Sequence, residues 1–396
     1  MAGGKQATAK RAMRWSWNDP HLRSLIWQVA ALAAVVAALW YFAATAHENL
    51  SRQHIATGFG FLQNTAGFGI VQALVPYSEE ASYGRAFLVG LCNTLLVAAL
   101  GTILAVALGF AVGIARLSSN WLVAKLAAVY VETLRNIPLL LQLFFWYFAI
   151  LQPLPGPRES LTLLPGVFLS NRGIVMPGVG LTGTSPAFLA ALFLAIVASF
   201  LVTRYAKARR MTTGERFPAS VVNTVSIIVL PGLVWLIGGA PFTIDHAAMG
   251  KFDFTGGWRL LPEFLALLLG LALYTAAFIA EIVRAGIQSV GRGQTEAAHA
   301  LGLSNGQALR LVVIPQALRV IIPPLTSQIL NLTKNSSLAV AIGYPDLVSV
   351  FAGTVLNQTG QAIEVIAITM GVYLVISLAT SLAMNLYNAR VAIVER

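Results

Sequence analysis

Residues 294–319 read QTEAAHALGLSNGQALRLVVIPQALR and form a polar interruption between two long apolar segments. The first residues of this stretch can form a short helix, and Gly302 suits a left-handed C-terminal cap. Ser304, followed by Gln307, has the spacing of a capping box that begins a second helix, and Pro315 limits how that helix continues. The stretch therefore predicts two short helices meeting at a turn. Its apolar side chains indicate a docking partner, and the alternative is a surface hairpin of no special role.

Composition indicates the class of protein. Of the 396 residues, 57% are apolar and 10% are charged, and the mean hydropathy is +0.75. A soluble globule of this length needs more polar surface, so we expect a polytopic membrane protein. Cys92 is the only cysteine and the five histidines lack ligand spacing, so we expect neither a disulfide framework nor a metal, and no motif indicates a catalytic site.

The basic charge has two explanations. A formal net charge of +11 is compatible with a nucleic-acid partner. However, most of the 26 lysines and arginines lie in short clusters between apolar segments, which is the pattern of the positive-inside rule. We therefore expect a lipid bilayer and no nucleic acid, with both termini and the hairpin in the cytoplasm.

The apolar segments are long enough for eight spans of about 20 residues each. They divide the chain into five parts: residues 1–24, a basic cytoplasmic tail; 25–85, a first span and an external segment; 86–151, spans 2 and 3; 152–260, external loops with spans 4 and 5; and 261–396, spans 6 to 8 with the loop 293–319 between spans 6 and 7. The loop at the start of 152–260 is rich in proline and glycine, which predicts no long helix there.

Two features inside the spans predict local structure. Pro138 removes a backbone donor in span 3 and should bend or break that helix. Gly101, Gly109 and Gly113 have helical spacing in span 2, which indicates close helix packing.

Four motifs together resemble one family. They are Glu296-Ala297-Ala298 with Gly302 and the Val-x-Ile-Pro ending at Pro315; residues 130–144, YVETLRNIPLLLQLF; residues 280–286, AEIVRAG; and residues 334–338, KNSSL. This set resembles the binding-protein-dependent ABC import permeases, in their amino-acid branch. Val312 and Ile314 are conservative departures from the usual Ile and Leu. The insertion from about Pro153 to Arg259 is similar to the permease Q-type subunit of general L-amino-acid importers.

The resemblance implies an all-α polytopic fold: the MetI-like five-span core of a type I ABC importer, formed by spans 2, 3, 6, 7 and 8, plus about three additional spans. It implies that the hairpin is the cytoplasmic coupling loop of the family. The ATPase-docking residues would be Glu296, Ala297, Ala298, Leu301, Gly302, Leu303 and Pro315.

The resemblance also implies partners: a cytoplasmic ABC ATPase dimer, a second permease subunit that is a related chain or a copy, and a periplasmic amino-acid-binding protein, all at a bacterial inner membrane. The chain has no G-x-x-x-x-G-K-[ST] phosphate loop, so a partner subunit would use the ATP. We therefore expect a transport subunit that is not an enzyme and binds no cofactor itself.

Charged and polar residues inside spans are costly and often functional. The candidates for the substrate pathway are Glu132, Arg135, Asn136, Gln142, Glu281 and Lys334. Glu132 with Arg135, and Glu281 with Arg284, have a spacing that permits mutual neutralisation on one helix face. Alternatively, Arg135 and its neighbours line the pathway and complement the carboxylate and ammonium of an α-amino acid.

Two other classes of protein compete with this interpretation. An ion-coupled secondary amino-acid transporter would need no ATPase and predicts broken helices in two repeated halves, but the only repeat is the short E-x-x-R echo. A membrane scaffold without a pathway has no need for the Pro138 break or the charged spans.

Overall fold

A computed structural model describes residues 20–52, 57–215 and 217–391. Nearly all of the predicted basic tail, residues 1–24, lies outside these ranges. The described α-helices are α1 (Pro20–Arg52), α2 (Tyr83–Ala115), α3 (Trp121–Asn136), α4 (Leu139–Phe144), α5 (Ser185–Thr213), α6 (Ala219–Gly238), α7 (Pro262–Gln288), α8 (Arg292–Ala300), α9 (Asn305–Ala308), α10 (Ile314–Asn335), α11 (Leu356–Thr359) and α12 (Ala362–Val391).

The helices agree with the predicted number of spans. Within the described ranges, seven helical segments are long and apolar enough to cross a membrane, and the bent pair of α3 with residues 139–151 makes up to eight. The apolar window of α7 is 61% buried inside the chain, whereas those of α1, α5 and α6 are 0%, 6% and 6% buried. The three spans predicted as additions are therefore the least embedded in the protein.

The core of the bundle is the packing of α2 against α7. Gly109 and Gly113 face α7, where an added Cβ at Gly109 would lie 2.6 Å from the Cβ of Ile279, and one at Gly113 would lie 2.8 Å from the Cβ of Val283. Only glycine allows the two helix backbones to approach this closely. The predicted close packing of span 2 is confirmed, and it takes place within this chain.

Span 3 is broken as Pro138 predicts. Its two halves, Trp121–Asn136 and Leu139–Leu151, are bent by 107°. Gln142 repairs the break, because its side-chain Nε2 donates hydrogen bonds to the backbone oxygens of Leu134 and Ile137, each at 2.9 Å. These carbonyls lose their helical donors where the helix ends, so the buried amide satisfies them.

The insertion contains short strands that the all-α expectation omitted. They are β1 (Leu161–Leu164), β2 (Val167–Ser170), β3 (Gly173–Met176), β4 (Gly178–Leu181), β5 (Phe242–Asp245), β6 (Ala248–Met249), β7 (Phe254–Thr255) and β8 (Trp258–Leu260). The sheets have the orders β1-β2-β3-β8, β4-β5 and β6-β7. Antiparallel pairing of β3 with β8 and of β4 with β5 closes the base of the hairpin made by α5 and α6. Strands of two to four residues give too little alternation to be recognised in a sequence rich in proline and glycine.

The end of the bundle near the start of α7 has its own small core. Phe61 and Tyr83 pack there with Phe351 and Val355 from the segment that returns between α10 and α12. This return segment consists of a 3-10 stretch, Ser336–Ile342, and a π-helical stretch, Val348–Val355, and Gly343 between them has a φ of +77°. Gly343, Pro345 and Gly353 in this stretch are typical of an irregular backbone.

Candidate functional site

The hairpin turn at Gly302 has the predicted geometry. Gly302 has a φ of +80°. Its N–H donates to the His299 oxygen at 2.9 Å, and the Leu303 N–H donates to the Ala298 oxygen at 3.2 Å. These two bonds are the Schellman pattern, which ends α8 with a left-handed residue. The predicted left-handed cap is confirmed.

The second arm of the hairpin differs from the prediction of a separate short helix. Its start is as expected, with a capping box in which the Ser304 N–H donates to Gln307 Oε1 at 3.0 Å. However, α9 continues through a π-helical turn, Leu309–Val313, into α10. Pro315 comes just after the π-helical turn, where the regular i→i−4 hydrogen bonding is already interrupted, so its missing donor does not stop the helix. The second arm of the hairpin is therefore helical throughout and continuous with span 7.

The predicted docking residues fall into two groups. Glu296, Ala297, Gly302 and Pro315 are exposed, as is Leu301, whose exposed fraction is 83%. Leu303 is half-buried, and Ala298 is only 3% exposed, so its methyl group holds the hairpin together instead of offering a surface. Leu309 and Leu311 on the second arm are 43% and 61% exposed. The two arms thus present bare leucines at one end of the bundle.

Glu281 forms the main ion cluster of the described spans. Its carboxylate pairs with Arg284 one turn later on α7 and with Arg116 just after α2. The predicted pairing of Glu281 with Arg284 is confirmed. The additional link to Arg116 fastens the end of α2 to α7 near the hairpin.

The pairing predicted for Glu132 and Arg135 is wrong: no salt bridge joins them within the described chain. The guanidinium of Arg135 instead lies over the ring of Phe278 on α7, 5.1 Å from its centroid. Asn136 donates from Nδ2 to the backbone oxygen of Glu132 at 2.6 Å. Because α3 ends at Asn136, Arg135 is free to leave the helix face and stack on the neighbouring helix.

The remaining pathway candidates, Gln142 and Lys334, have different surroundings. Gln142 is 5% exposed and uses both amide hydrogens on the span-3 break, so its role in this structure is to stabilise the bend. Lys334 is exposed at the end of α10 and lines an open groove of about 490 Å³. The other polar side chains of this groove are Ser337, Thr369, Tyr373 and Ser377. Gln142 thus lies at the span-3 break, close to Arg135 and Asn136 along the chain, and no hydrogen bond or salt bridge among the described residues joins the Lys334 side chain to the other five candidates.

The sequence interpretation missed a buried polar network in the return segment. Asp346 is fully buried, accepts the Ser349 N–H at 2.8 Å and lies 3.4 Å from the Tyr373 hydroxyl. Thr94 on α2 accepts the Leu347 N–H through its hydroxyl at 3.0 Å. The spacing of Asp346 to Ser349 is that of an N-cap, which was the signal available in the sequence. This network fixes the return segment against α2.

No group of three metal-ligating side chains occurs in the part of the chain that the structure describes.

The family follows from a match over most of the chain. Residues 101–393 match the family described as "Binding-protein-dependent transport system inner membrane component". The protein belongs to this family, so it is a membrane permease of an ABC import system, with the MetI-like fold and additional spans. It is a transport component and not an enzyme, and membership implies a binding protein and an ATPase as partners.

Three relatives align with nearly the whole length of the chain and indicate which kind of ABC permease it resembles. The permease protein YhdX of Escherichia coli strain K12 is 54% identical over 393 residues, covering 99% of both chains. The general L-amino acid transport system permease protein AapQ of Rhizobium johnstonii is 51% identical over 386 residues, covering 96% of both. The glutamate/glutamine/aspartate/asparagine transport system permease protein BztB of Rhodobacter capsulatus is 44% identical over 409 residues, covering 96% of both. The ion-coupled alternative has no support from the family or from these relatives.

Proposed function

We propose that this permease carries L-α-amino acids across a bacterial inner membrane, as one subunit of an ATP-driven importer. The observation that carries the proposal is the identity of 51% to AapQ over 96% of both chains, since that relative is named for general L-amino acid transport. The chain itself contributes the spans and the docking hairpin. ATP is hydrolysed in a partner subunit.

The hairpin docks, in this proposal, on a cytoplasmic ATPase dimer. Leu301, Leu309 and Leu311 supply apolar contacts that a soluble partner would cover. The charge pattern supports a cytoplasmic hairpin and cytoplasmic termini, because most basic residues cluster on that side. Glu296 and Pro315, exposed on the same hairpin, belong to the same contact surface.

Movement of the ATPase is transmitted through a rigid connection. The second arm of the hairpin continues from α9 through the π-helical turn into α10, and the helical segment that begins at Asn305 extends over 38 residues to the end of the 3-10 stretch at Ile342. Displacement of the hairpin therefore moves span 7 directly. The Arg116 and Glu281 pair links the neighbouring ends of α2 and α7, so these helices move together.

The pathway is completed by a second permease subunit. The groove beside Lys334 is open to the outside of this chain and is lined by α12 and the return segment. We expect a related chain or a second copy to close it, with Lys334 facing the passage. A periplasmic amino-acid-binding protein delivers the substrate to the opposite end of the bundle.

The test is uptake into proteoliposomes containing the purified complex. We expect a radiolabelled L-amino acid to accumulate only when ATP is enclosed with the ATPase and the binding protein is present outside. Accumulation driven by an ion gradient without ATP would contradict the proposal and support a secondary transporter. ATP hydrolysis without any accumulation of amino acids would contradict the substrate class.

A further inference from the structure

A cavity lies at the end of the bundle away from the hairpin. Its volume is about 460 Å³, and it adjoins Pro262 and Glu263 in the first turn of α7. Since α7 has 27 residues, this turn lies about 40 Å from the end that leads into the hairpin. The cavity has three walls: the insertion, the start of α7, and the segments around Ile70 and Ser349.

The insertion provides the basic wall. Arg172 and Arg259 both line the cavity, and both donate to Oδ2 of Asp253, at 2.8 and 2.9 Å. The pairing of β3 with β8 brings the two arginines together. Gly173 allows this approach, because its φ is +98° and an added Cβ would lie 2.0 Å from the Leu260 oxygen.

Asp253 is ionised and neutralises one of the two positive charges of this wall. Burial by itself raises the pKa of Asp253, but hydrogen bonds from Arg172, the Phe254 amide and Arg259 outweigh burial and hold the pKa below its ordinary value. One carboxylate thus sits between two guanidinium groups, and the wall carries one net positive charge. Arg172 is 54% exposed and has further N–H groups to offer a ligand.

Glu263 provides the acidic wall. It is half-buried, and its Oε1 accepts the hydroxyl of Tyr147 at 2.7 Å. Its other oxygen has no hydrogen-bond partner within the described residues. The single carboxylate balances the positive charge of the insertion wall, so the lining as a whole is close to neutral. The rest of the lining includes the apolar side chains Phe68, Ile70, Val71, Leu261 and Val350.

We propose that this cavity binds a free α-amino acid, with Arg172 and Arg259 holding its carboxylate and Glu263 its ammonium. An anion alone would be repelled by Glu263, and a cation alone by the arginines, whereas a zwitterion matches both walls. The apolar lining takes the substrate side chain. This assignment rests on the proposed amino-acid transport, and it gives the insertion a role as the carboxylate-binding half of an outer site.

Binding is measured on the complex purified through this full-length chain in lipid nanodiscs, without ATP and without binding protein. Radiolabelled L-glutamine, L-aspartate and L-leucine are used as probes. We expect saturable binding of at least one of them, and Arg172→Ala and Glu263→Gln should each weaken it about ten-fold or more. For a glutamine signal, glutaramic acid, which lacks the α-ammonium, should fail to compete.

Arg158→Ala is the matched control. Arg158 belongs to the same insertion and donates to the Lys251 oxygen, but it does not line the cavity. This variant should bind like the parent. Arg172→Lys, which keeps the charge beside Asp253, should lose less affinity than Arg172→Ala, and the Tm of each variant shows whether the sheet is intact.

Three results would overturn the assignment: no binding of any probe, equal binding by all variants, or loss of stimulation by the binding protein in Arg172→Ala with amino-acid binding unchanged. The last result would make the basic wall a protein contact. Failure here is distinct from failure of the proposed function, because ATP-driven uptake by the parent complex is measured separately and does not depend on this cavity binding free amino acid.

Discussion

Arg116, immediately after α2, forms an ion pair with Glu281 on α7. Both side chains are largely removed from solvent, with exposed fractions of 16% and 26%. The same carboxylate also pairs with Arg284, so one acidic group joins the two most tightly packed helices of the core near the hairpin.

Removal of this carboxylate should weaken the core. Glu281→Gln leaves Arg116 and Arg284 close together without a counter-ion, and we expect the Tm of the purified complex to fall by several degrees. Glu80→Gln, which removes an exposed carboxylate from the segment before α2, is the control and should leave the Tm unchanged. Equal Tm values for Glu281→Gln and the parent would show that the pair does not stabilise the fold.

The turn at Gly302 should tolerate no carboxylate. Gly302→Asp forces a residue with a Cβ into a φ of +80°, at a cost of about 1–2 kcal/mol, and adds a charge to the docking surface. We expect loss of binding-protein-stimulated ATP hydrolysis. Gly306→Asp is the matched control, since Gly306 lies in the same hairpin with open space around it and no left-handed backbone. Normal stimulated ATP hydrolysis by the complex that carries Gly302→Asp would show that the hairpin does not couple the permease to the ATPase.

The exposed leucine of the first arm should hold the ATPase. Leu301 is 83% exposed, so Leu301→Gln should leave the permease folded while reducing the ATPase that co-purifies with it. Met211 at the end of α5 is 87% exposed and serves as the control, because Met211→Gln removes a comparable apolar side chain elsewhere. A loss of ATPase in both variants, or in neither, would argue against docking through Leu301.

The packing of α2 against α7 should not tolerate a large side chain at Gly109. Gly109→Leu places a Cβ 2.6 Å from that of Ile279, so overpacking should cost about 1–3 kcal/mol or more and reduce the yield of folded protein. Gly371→Leu is the control, because no atom lies within 4 Å of an added Cβ there. The yield of monodisperse protein in detergent measures the difference, and equal yields would contradict the packing.

The insertion sheet should depend on pH through Asp253. Its pKa is lower in the folded state than in the unfolded chain, so its stabilising contribution is present above the unfolded pKa of about 3.9 and is lost as pH falls through the lower folded value. Asp253→Asn should therefore lower the Tm more at pH 7 than at pH 3. Glu159→Gln, an exposed carboxylate in the same loop, is the control. If the difference in Tm between Asp253→Asn and the parent were the same at pH 7 and pH 3, the link between the protonation of Asp253 and stability would be contradicted.

Local signals predicted the hairpin well, and long-range contacts explain what was missed. The helix cap at Gly302 and the capping box at Ser304 depend on residues within one turn, so both can be predicted from the local sequence. The break at Pro138 has the same local origin. By contrast, the position of Arg135 over Phe278 depends on how α3 packs against α7. Residue spacing within one segment does not predict a contact between two helices.

The outer cavity is the clearest case of information that the sequence does not display. Arg172, Arg259 and Glu263 come from a strand edge, another strand and a helix start, and only the pairing of β3 with β8 brings the first two together. The role of Gln142 is similar, because its bonds satisfy carbonyls freed by a bend whose angle is a tertiary property.

The central claim is that a cytoplasmic ATPase holds this chain at the hairpin around Gly302. Cys92 is the only native cysteine, so Ala300→Cys in a Cys92→Ser background gives one reporter thiol on the exposed first arm, next to Leu301, which stays intact. A membrane-impermeant maleimide is added to inside-out and to right-side-out vesicles, with and without the ATPase bound. We predict labelling only in inside-out vesicles and protection when the ATPase is present. Labelling from the periplasmic side, or labelling that the ATPase does not change, would contradict the account.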